Sequence, residues 1–287
     1  MSIAISAEST IDLPDNLLEK FNIQTIPFTI TLGNKTAKDG KITSIEIINF
    51  VKENNILPKT SAINAAEYEE HFSKLKENYD AVIHFSLSSK MSSAYSNAVL
   101  ASHEVENVYV IDTKSLSTGI ALLAIYASKL VNLGLGPEEI VNKVTKRIPT
   151  NQTSFVLSKL KFLYMGGRCS SLKFLATKLL KIRPQIVVEE GQMGPKHKYM
   201  GKFDKCAITY VNDVLKTYTT PDLEQVFITY TTADKEIVDQ IKVILKERGF
   251  KNIYETTAGG TITSHCGEKC LGILYLNDAN ENGVYVD

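Results

Sequence analysis

The sequence has no excess of charge of either sign and no long apolar run. Thirty-two Lys and Arg residues balance thirty-two Asp and Glu residues, whereas a nucleic-acid-binding domain usually carries a basic stripe. No run of about 18 apolar residues is available to span a membrane. The opening residues, MSIAISAEST, lack the basic start, apolar segment and cleavage site of a secretory signal. We therefore expect no nucleic-acid partner and a cytoplasmic location.

Cysteine is scarce as well. The chain contains Cys169, Cys206, Cys266 and Cys270. In a reducing compartment these are expected to be free thiols that pack as small apolar side chains. His265 lies beside Cys266, but the spacing is not that of a CxxC zinc knuckle, and a second pair of ligands is missing. We therefore predict no metal site.

Motifs for nucleotides and for hydrolytic nucleophiles are missing. There is no GxxxxGK(S/T) phosphate loop, and Gly134-Leu135-Gly136 is followed by proline, which excludes a dinucleotide turn. There is no GxSxG nucleophile elbow. The sequence thus predicts no bound cofactor, and any ATP-dependent step would take place on another protein.

What the sequence does contain is an alternation of short β-branched runs with longer segments of helical period. In residues 1–149 this alternation predicts an α/β domain with a mostly parallel sheet and helices on both faces. The predicted strands are Ile3–Ser6, Thr25–Leu32, Ala81–Phe85 and Val108–Asp112. The predicted helices are Pro14–Phe21, Ser44–Glu53, Ala65–Glu77, Ser92–Glu104, Ser117–Leu133 and Pro137–Arg147. His71 and His103 fall on these helices among charged neighbours and are expected at the surface.

After Thr150 the spacing changes, and residues 150–287 are predicted to form a second, smaller α/β domain with a mixed sheet. Its predicted strands are Ser154–Ser158, Ile186–Glu190, Gln225–Tyr230, Asn252–Glu255 and Leu271–Leu276. Its predicted helices are Leu160–Arg168, Leu172–Lys181, Asp204–Tyr218 and Asp234–Arg248. We expect a turn from Gly191 through Pro195 and disorder in the polar tail Asn277–Asp287.

Hydroxyl groups cluster where the predicted parallel strands end. The segment Ser86–Ser93 contains five serines, although capping the following helix needs only one. Thr60-Ser61 is another hydroxyl pair, at the entry to the Ala65 helix, and Ser9-Thr10 and Thr113–Ser117 repeat the pattern at two further strand ends. Each alone is explained by helix capping. Ligands of open α/β sheets bind beyond the carboxyl ends of the strands, so these groups are expected to line one ligand-binding rim. Neutral donors there would hold a carboxylate with charge-assisted hydrogen bonds of about 1.5–3 kcal/mol each.

Two further segments carry candidate site residues. Thr261–His265 lies between Ala258-Gly259-Gly260 and Gly267, and we interpret it as a mobile loop. His265 is there either a structural hydrogen-bonding residue or a group that closes over a bound anion. Gly166-Gly167-Arg168 is interpreted as a helix stop with a capping cation.

Several segments match one family in order and spacing over nearly the whole chain. They are Glu8–Pro14, similar to D-S-T-x-D-L-P; Pro58–Ser61, similar to P-x-T-S; Leu87–Tyr95, similar to L-S-S-x-L-S-G-T-Y; and Val110–Lys114, Gly166–Arg168 and the His265 segment. Together they resemble the DegV family, the fatty-acid-binding subunits that serve a bacterial fatty acid kinase.

This resemblance implies a carrier rather than an enzyme. A long-chain fatty acid would lie with its acyl chain in a tunnel between or beneath the domains, and the C-terminal domain would complete the lipid pocket. The residues implied for the carboxylate are Thr60, Ser61, Ser92, Ser93 and His265. A separate kinase would phosphorylate the bound acid, and Arg168 is expected to contact that kinase or the phosphate. Transient contact with a membrane is compatible with this role.

The chain departs from the family pattern at three places. Ser93 and Ala94 stand where members usually have Gly and Thr, and Ala7-Glu8 replaces Thr-Asp. Lys198–Phe203 lacks the arginines that members usually carry, and those arginines are candidates for contact with the kinase.

Two other functions remain open from the residues themselves. One is a small-molecule serine hydrolase that uses Ser92 or Ser93 with His265 as base and Asp112 as the orienting carboxylate. The other is a module that uses the fold only for protein contacts, and such a module would have no internal cavity.

Overall fold

The computed structural model describes residues 1–169 and 182–286, so the predicted helix Leu172–Lys181 lies outside the described residues. The strands are β1 (Ile3–Glu8), β2 (Ile23–Ile26), β3 (Thr29–Leu32), β4 (Lys35–Lys38), β5 (Lys59–Ser61), β6 (Ala81–Ser86), β7 (Val108–Asp112), β8 (Asn151–Leu157), β9 (Ile182–Glu189), β10 (Gln192–Met200), β11 (Gln225–Tyr230), β12 (Asn252–Thr257) and β13 (Cys270–Leu276). The helices are α1 (Asp15–Lys20), α2 (Ser44–Asn54), α3 (Ala65–Lys76), α4 (Ala94–Ser102), α5 (Thr118–Asn132), α6 (Pro137–Arg147), α7 (Lys161–Met165), α8 (Phe203–Thr217), α9 (Lys235–Arg248) and α10 (Gly260–Cys266). Single 3-10 turns cover Ser9–Ile11 and Ile148–Thr150.

The N-terminal sheet has the order β2-β1-β6-β7, and each neighbouring pair is parallel. Every residue of β1 and β6 is buried, as expected for central strands covered on both sides. Helices α3 and α4 cover one face, and α5 and α6 cover the other. The predicted parallel sheet with helices on both faces is therefore confirmed.

The predicted strand Thr25–Leu32 is in fact two strands in different sheets. Strand β2 joins the parallel sheet, whereas β3 lies at the centre of a separate antiparallel sheet of order β4-β3-β5. Pro27 stands between them, and because proline has no N–H to donate, it interrupts a continuous ladder. The run of alternating residues concealed this break.

The C-terminal sheet has the order β10-β9-β8-β13-β11-β12. Only β11 and β12 pair in parallel, whereas the other neighbours are antiparallel, so the predicted mixed sheet is confirmed. The predicted turn from Gly191 through Pro195 was wrong. Glu190 and Gly191 alone make the turn, both with positive φ as a tight hairpin requires. Pro195 lies within the edge strand β10, next to a register shift, where a missing N–H is tolerated.

Helix α5 joins the two halves of the molecule. It packs on β1 and β6 of the parallel sheet and on β8 and β13 of the mixed sheet, and it is buried nearly all round, as a helix between two sheets must be. Strand β13 shows the layering: Leu274 and Leu276 join the core cluster on the α5 side, while Leu271 and Ile273 join the core beneath α8 and α9. The division into domains at 1–149 and 150–287 stays a prediction.

The C-terminal segment is folded against α6, so the expected disorder was wrong for residues 277–286. Arg147 is buried and pairs with Asp222 at 2.7 Å and Asp278 at 2.6 Å. Its guanidinium lies 3.8 Å from the ring centroid of Tyr285. Among the described residues, no helix combines the length and apolarity that a membrane crossing requires.

Candidate functional site

The carboxyl ends of β1, β6 and β7 meet at one edge of the parallel sheet. The register places Ala7 beside Phe85 and Ser86 beside Asp112, so the segments that follow these strands are neighbours. The predicted rim is therefore present. It lies between the parallel sheet, the small antiparallel sheet and α10, which packs against α2, α7, β3 and β5.

A cavity of about 160 Å³ opens at this rim. Its apolar lining residues are Phe28, Ala62, Leu87, Met91, Leu116, Leu163, Met193, Ile262 and Cys266. Its polar lining residues are Thr60, Ser92, Ser93, Arg168, Thr261 and His265. A second, smaller apolar space of about 20 Å³ shares Leu116, Ile262 and Cys266 with the first and continues toward Gly272 on β13. An internal cavity thus exists, contrary to what a pure protein-contact module would show.

His265 lies on helix α10 and not in a mobile loop, so that part of the interpretation was wrong. Gly260 allows the helix to start here, because a Cβ at that position would lie 2.6 Å from Ile30 Cδ1 and 2.9 Å from the Ile42 carbonyl. His265 Nε2 lies 2.8 Å from Thr60 Oγ1 on β5. Burial, together with the nearby charge of Arg168, lowers the pKa of His265 to about 4. The imidazole is therefore neutral at pH 7.

Two aspartates hold the first turn of α10. Asp12 accepts the Gly259 N–H at 2.8 Å and the Ser117 hydroxyl at 2.5 Å. Asp39 accepts the N–H groups of Gly260 at 2.9 Å and Thr261 at 3.1 Å. Burial raises the pKa of Asp12 to about 8, with a smaller contribution from the charge of Asp39, against hydrogen bonds that lower it. Positive φ at Asp12 and Ser117 shows that the chain accepts strain to make this junction.

The serine segment after β6 is anchored by Glu8, a role that the sequence interpretation missed. The Glu8 carboxylate is fully buried and accepts from Tyr68 at 2.8 Å, Ser86 at 2.6 Å and the Leu87 N–H at 2.8 Å. His84 Nε2 lies 3.3 Å away. Burial opposes ionisation, but the hydrogen bond and charge of His84, with the hydroxyl donors, outweigh it and lower the pKa of Glu8. The sequence did contain a signal for this role of Glu8. A carboxylate at the end of an apolar strand is a buried charge, and a buried charge requires partners.

This network reaches a histidine that the sequence analysis placed at the surface. Ser6 Oγ lies 3.0 Å from His84 Nδ1 and 2.8 Å from His71 Nε2. His71 is only partly exposed, and burial is the main cause that lowers its pKa to about 4. The expectation of a surface histidine was therefore wrong at His71.

The structure brings four of the five predicted carboxylate ligands to the cavity: Thr60, Ser92, Ser93 and His265. Ser61 is exposed and does not line it, because successive side chains of β5 point to opposite faces. Helix α4 begins at Ala94 and not at Ser92, and the Ser92 hydroxyl accepts the Ala94 N–H at 3.1 Å. Arg168 is exposed beside the cavity and donates to the Gly166 carbonyl at 2.8 Å.

The geometry of a serine hydrolase is not present. His265 is bonded to Thr60, while Asp112 accepts from the Ser89 hydroxyl at 2.6 Å and its N–H at 3.1 Å. Asp112 therefore orients the serine loop and not the imidazole. Throughout residues 1–169 and 182–286, no three potential metal ligands come together. All four cysteines are buried thiols outside any disulfide, and the hydrogen bond that the Cys270 thiol makes to Cys266, followed by burial, raises the pKa of Cys270.

These features define a class of protein: an α/β fold with a mostly apolar cavity at a sheet rim, lined in addition by hydroxyl groups and one neutral histidine. A family described as "Uncharacterised protein, DegV family" matches residues 2–278. A fatty acid-binding protein of Thermotoga maritima is 32% identical over 95% of this chain and 96% of its own length. The chain therefore belongs to the DegV family.

Solved structures agree with this assignment. DegV of Bacillus subtilis, a fatty acid binding protein, superimposes with a TM-score of 0.85 at 26% identity, covering 97% of this chain and 100% of that one. A solved Thermotoga maritima structure, which reveals fatty acid binding function, has a TM-score of 0.83 at 30% identity and covers 96% of this chain and 99% of that one. The serine hydrolase alternative finds no support among these relatives.

Proposed function

We propose that this protein binds a long-chain fatty acid. The observation that supports the proposal most directly is the cavity itself, whose lining combines apolar side chains with hydroxyl donors, His265 and Arg168. The carboxylate accepts hydrogen bonds from Thr60, Ser92 and Ser93, and Arg168 supplies a positive charge at the open side. The acyl chain passes Leu116 into the smaller space near β13.

The energetics favour such a ligand. Burial of a methylene contributes about 0.8 kcal/mol, so a long chain supplies roughly 10 kcal/mol before the costs of association and ordering. Most of the groups that hold the carboxylate are neutral hydrogen-bond donors and form no ion pair with it, which suits a carrier that must release its ligand. Binding without catalysis requires no nucleophile, and it is compatible with Asp112 bonding to Ser89 while His265 bonds to Thr60.

We further propose that the bound acid is presented to a separate ATP-dependent kinase. This chain has no phosphate-binding loop, and Arg168 lies beside the cavity in an exposed position where a transferred phosphoryl group would meet it. A cytoplasmic location remains part of this proposal.

With ATP and a fatty acid kinase supplied, we expect wild-type protein to support acyl phosphate formation. Arg168→Ala should support less of it, while its palmitate affinity is reduced only a few-fold. Failure of the wild type to support the reaction would refute the kinase role alone.

The binding proposal is tested by native mass spectrometry of protein purified from bacteria, with palmitate titration as the quantitative assay. We expect a long-chain acid to accompany the folded chain and to leave on denaturation. Ser92→Ala should weaken palmitate binding by about 1–3 kcal/mol, the cost of a lost bond to a charged group. Ser102→Ala is the matched control, because Ser102 lies at the far end of α4, the helix that follows Ser92, and donates to the Val99 carbonyl. Wild-type protein that neither retains nor binds a fatty acid would refute the proposal.

A further inference from the structure

Helix α10 carries three buried hydroxyl residues, and one of them differs from the others. Thr263 donates to Ser44 Oγ at 2.8 Å, and Ser264 donates to the Gly260 carbonyl at 2.7 Å. Thr261 is only 3% exposed, yet its Oγ1 finds no hydrogen-bond partner among residues 1–169 and 182–286. A buried hydroxyl without a partner costs free energy, and such groups are rare in folded proteins. The Thr261 side chain lines the cavity, so a ligand is the natural source of an acceptor.

The position of Thr261 on the helix places this hydroxyl near the head of the proposed ligand. Thr261 and His265 are four residues apart and therefore lie on the same face of α10. Helical side chains lean toward the N-terminus, so the imidazole extends over the turn that contains Thr261. Its Nε2 also reaches Thr60. Thr60, Thr261 and His265 therefore line the same cavity, with His265 bonded to one of the two threonines and on the helix face of the other.

The backbone around Thr261 is held in place independently of any ligand. Its N–H and that of Gly260 are already bound by Asp39, which also accepts the Ser9 hydroxyl at 3.0 Å. The N–H groups of Gly260 and Thr261 are therefore committed to a protein acceptor, whereas the hydroxyl is not. Threonine has few χ1 rotamers, so the orientation of the hydroxyl is restricted before a ligand binds.

We propose that Thr261 Oγ1 donates a hydrogen bond to the carboxylate of the bound fatty acid, one helical turn from His265. This inference rests on the proposed function, since it assigns a further residue to the same site. The bond also gives the site a preference for an ionised acid over an uncharged ester of the same chain, because hydrogen bonds to charged acceptors are the stronger ones.

The test compares Thr261→Val with Thr261→Ser in palmitate titrations. Valine keeps the shape of threonine and removes only the hydroxyl, so affinity should fall roughly 10- to 150-fold, whereas serine should stay within about 3-fold of the wild type. The loss in Thr261→Val should be smaller for palmitic acid methyl ester than for palmitate. Because the hydroxyl has no protein partner to lose, Thr261→Val without ligand should melt no lower than the wild type.

Thr263→Val is the matched control, because its hydroxyl is bonded within the protein and its removal should lower the melting temperature. Palmitate affinity unchanged in Thr261→Val, with the wild type binding normally, would overturn this inference and leave the proposed function intact. A lowered melting temperature in Thr261→Val, with no recovery of affinity in Thr261→Ser, would also overturn it by showing a structural role. A wild type that binds no palmitate would overturn the proposed function itself.

Discussion

Replacement of Glu8 by glutamine tests how the rim is held together. The carboxylate accepts four donors: the Leu87 N–H on Oε2, and Tyr68, Ser86 and His84 on Oε1. Glutamine has nearly the same shape but only one acceptor oxygen. If that oxygen serves Leu87, the amide N–H₂ faces three groups that donate in the wild type. The substitution therefore changes hydrogen bonding and charge with little change in volume.

The expected loss of folding stability follows from these four hydrogen bonds. Hydroxyl groups can rotate to accept from the amide, so most contacts survive as neutral hydrogen bonds, but each loses the extra strength that a charged acceptor supplies. Three or four such reductions give a loss of about 2–4 kcal/mol. Glu8→Ala should cost about 3–5 kcal/mol, because it leaves buried donors, His84 among them, without their carboxylate partner. In a protein of this size a loss of 3 kcal/mol lowers the melting temperature by roughly 6–12 °C.

Urea unfolding at several pH values separates the charge of Glu8 from its packing. The folded-state pKa of Glu8 is lowered, so its contribution to stability is present above the unfolded pKa of about 4.3 and is lost as pH falls through the folded pKa. The difference between wild type and Glu8→Gln should therefore be largest at pH 7 and should shrink in acid. Glu70→Gln, an exposed glutamate on α3, serves as the control. A difference below about 0.5 kcal/mol at pH 7, or one that does not change with pH, would refute this reasoning.

Three further substitutions probe other parts of the molecule. The raised pKa of Asp12, about 8, means that its contribution to stability is lost as pH rises from near 4 through about 8. Asp12→Asn should flatten the decline in urea midpoint between pH 6 and pH 9, and equal slopes would contradict this. Gly166→Ala would place a Cβ 2.7 Å from His265 Nδ1 and should weaken palmitate binding about 10-fold, whereas Gly136→Ala, with open space around it, should not. Arg147→Met should cost about 3–5 kcal/mol in urea unfolding, because it strands two carboxylates, and a loss under 1 kcal/mol would show that the ion pairs contribute little.

The parallel sheet was predictable because its signals are local. The buried runs of β1 and β6 and the partly buried β7 appear in the sequence as short apolar segments. The helix Pro137–Arg147 was predicted with the bounds that the structure shows. Once the strands are parallel, their carboxyl ends must share an edge, and the grouping of Ser92 and Ser93 at that edge follows from topology. The motif resemblance then connected this rim to a carboxylate ligand.

The predictions were wrong where the local sequence favours one structure and contacts with distant residues stabilise another. The segment containing Gly194 and Pro195 resembles a turn, yet β10 forms there because β9 supplies a partner. The short helix α10 begins at a pair of glycines, Gly259 and Gly260, and its sequence looks like a loop, yet Asp12 and Asp39 supply acceptors for its first turn. A single-sequence pattern contains no information about such distant partners.

The sequence by itself determined the alternation of strands and helices, the concentration of hydroxyls at strand ends and the family resemblance, because each depends on residues close together along the chain. Only the tertiary structure decided which hydroxyls face the cavity. Thr60 and His265 are 205 residues apart, Thr261 and Asp39 are 222 apart, and Glu8 is 79 residues from the Leu87 amide that it anchors. Hydrogen bonds act only over about 3 Å, so no spacing in the sequence can assign these pairs until the fold has brought them together.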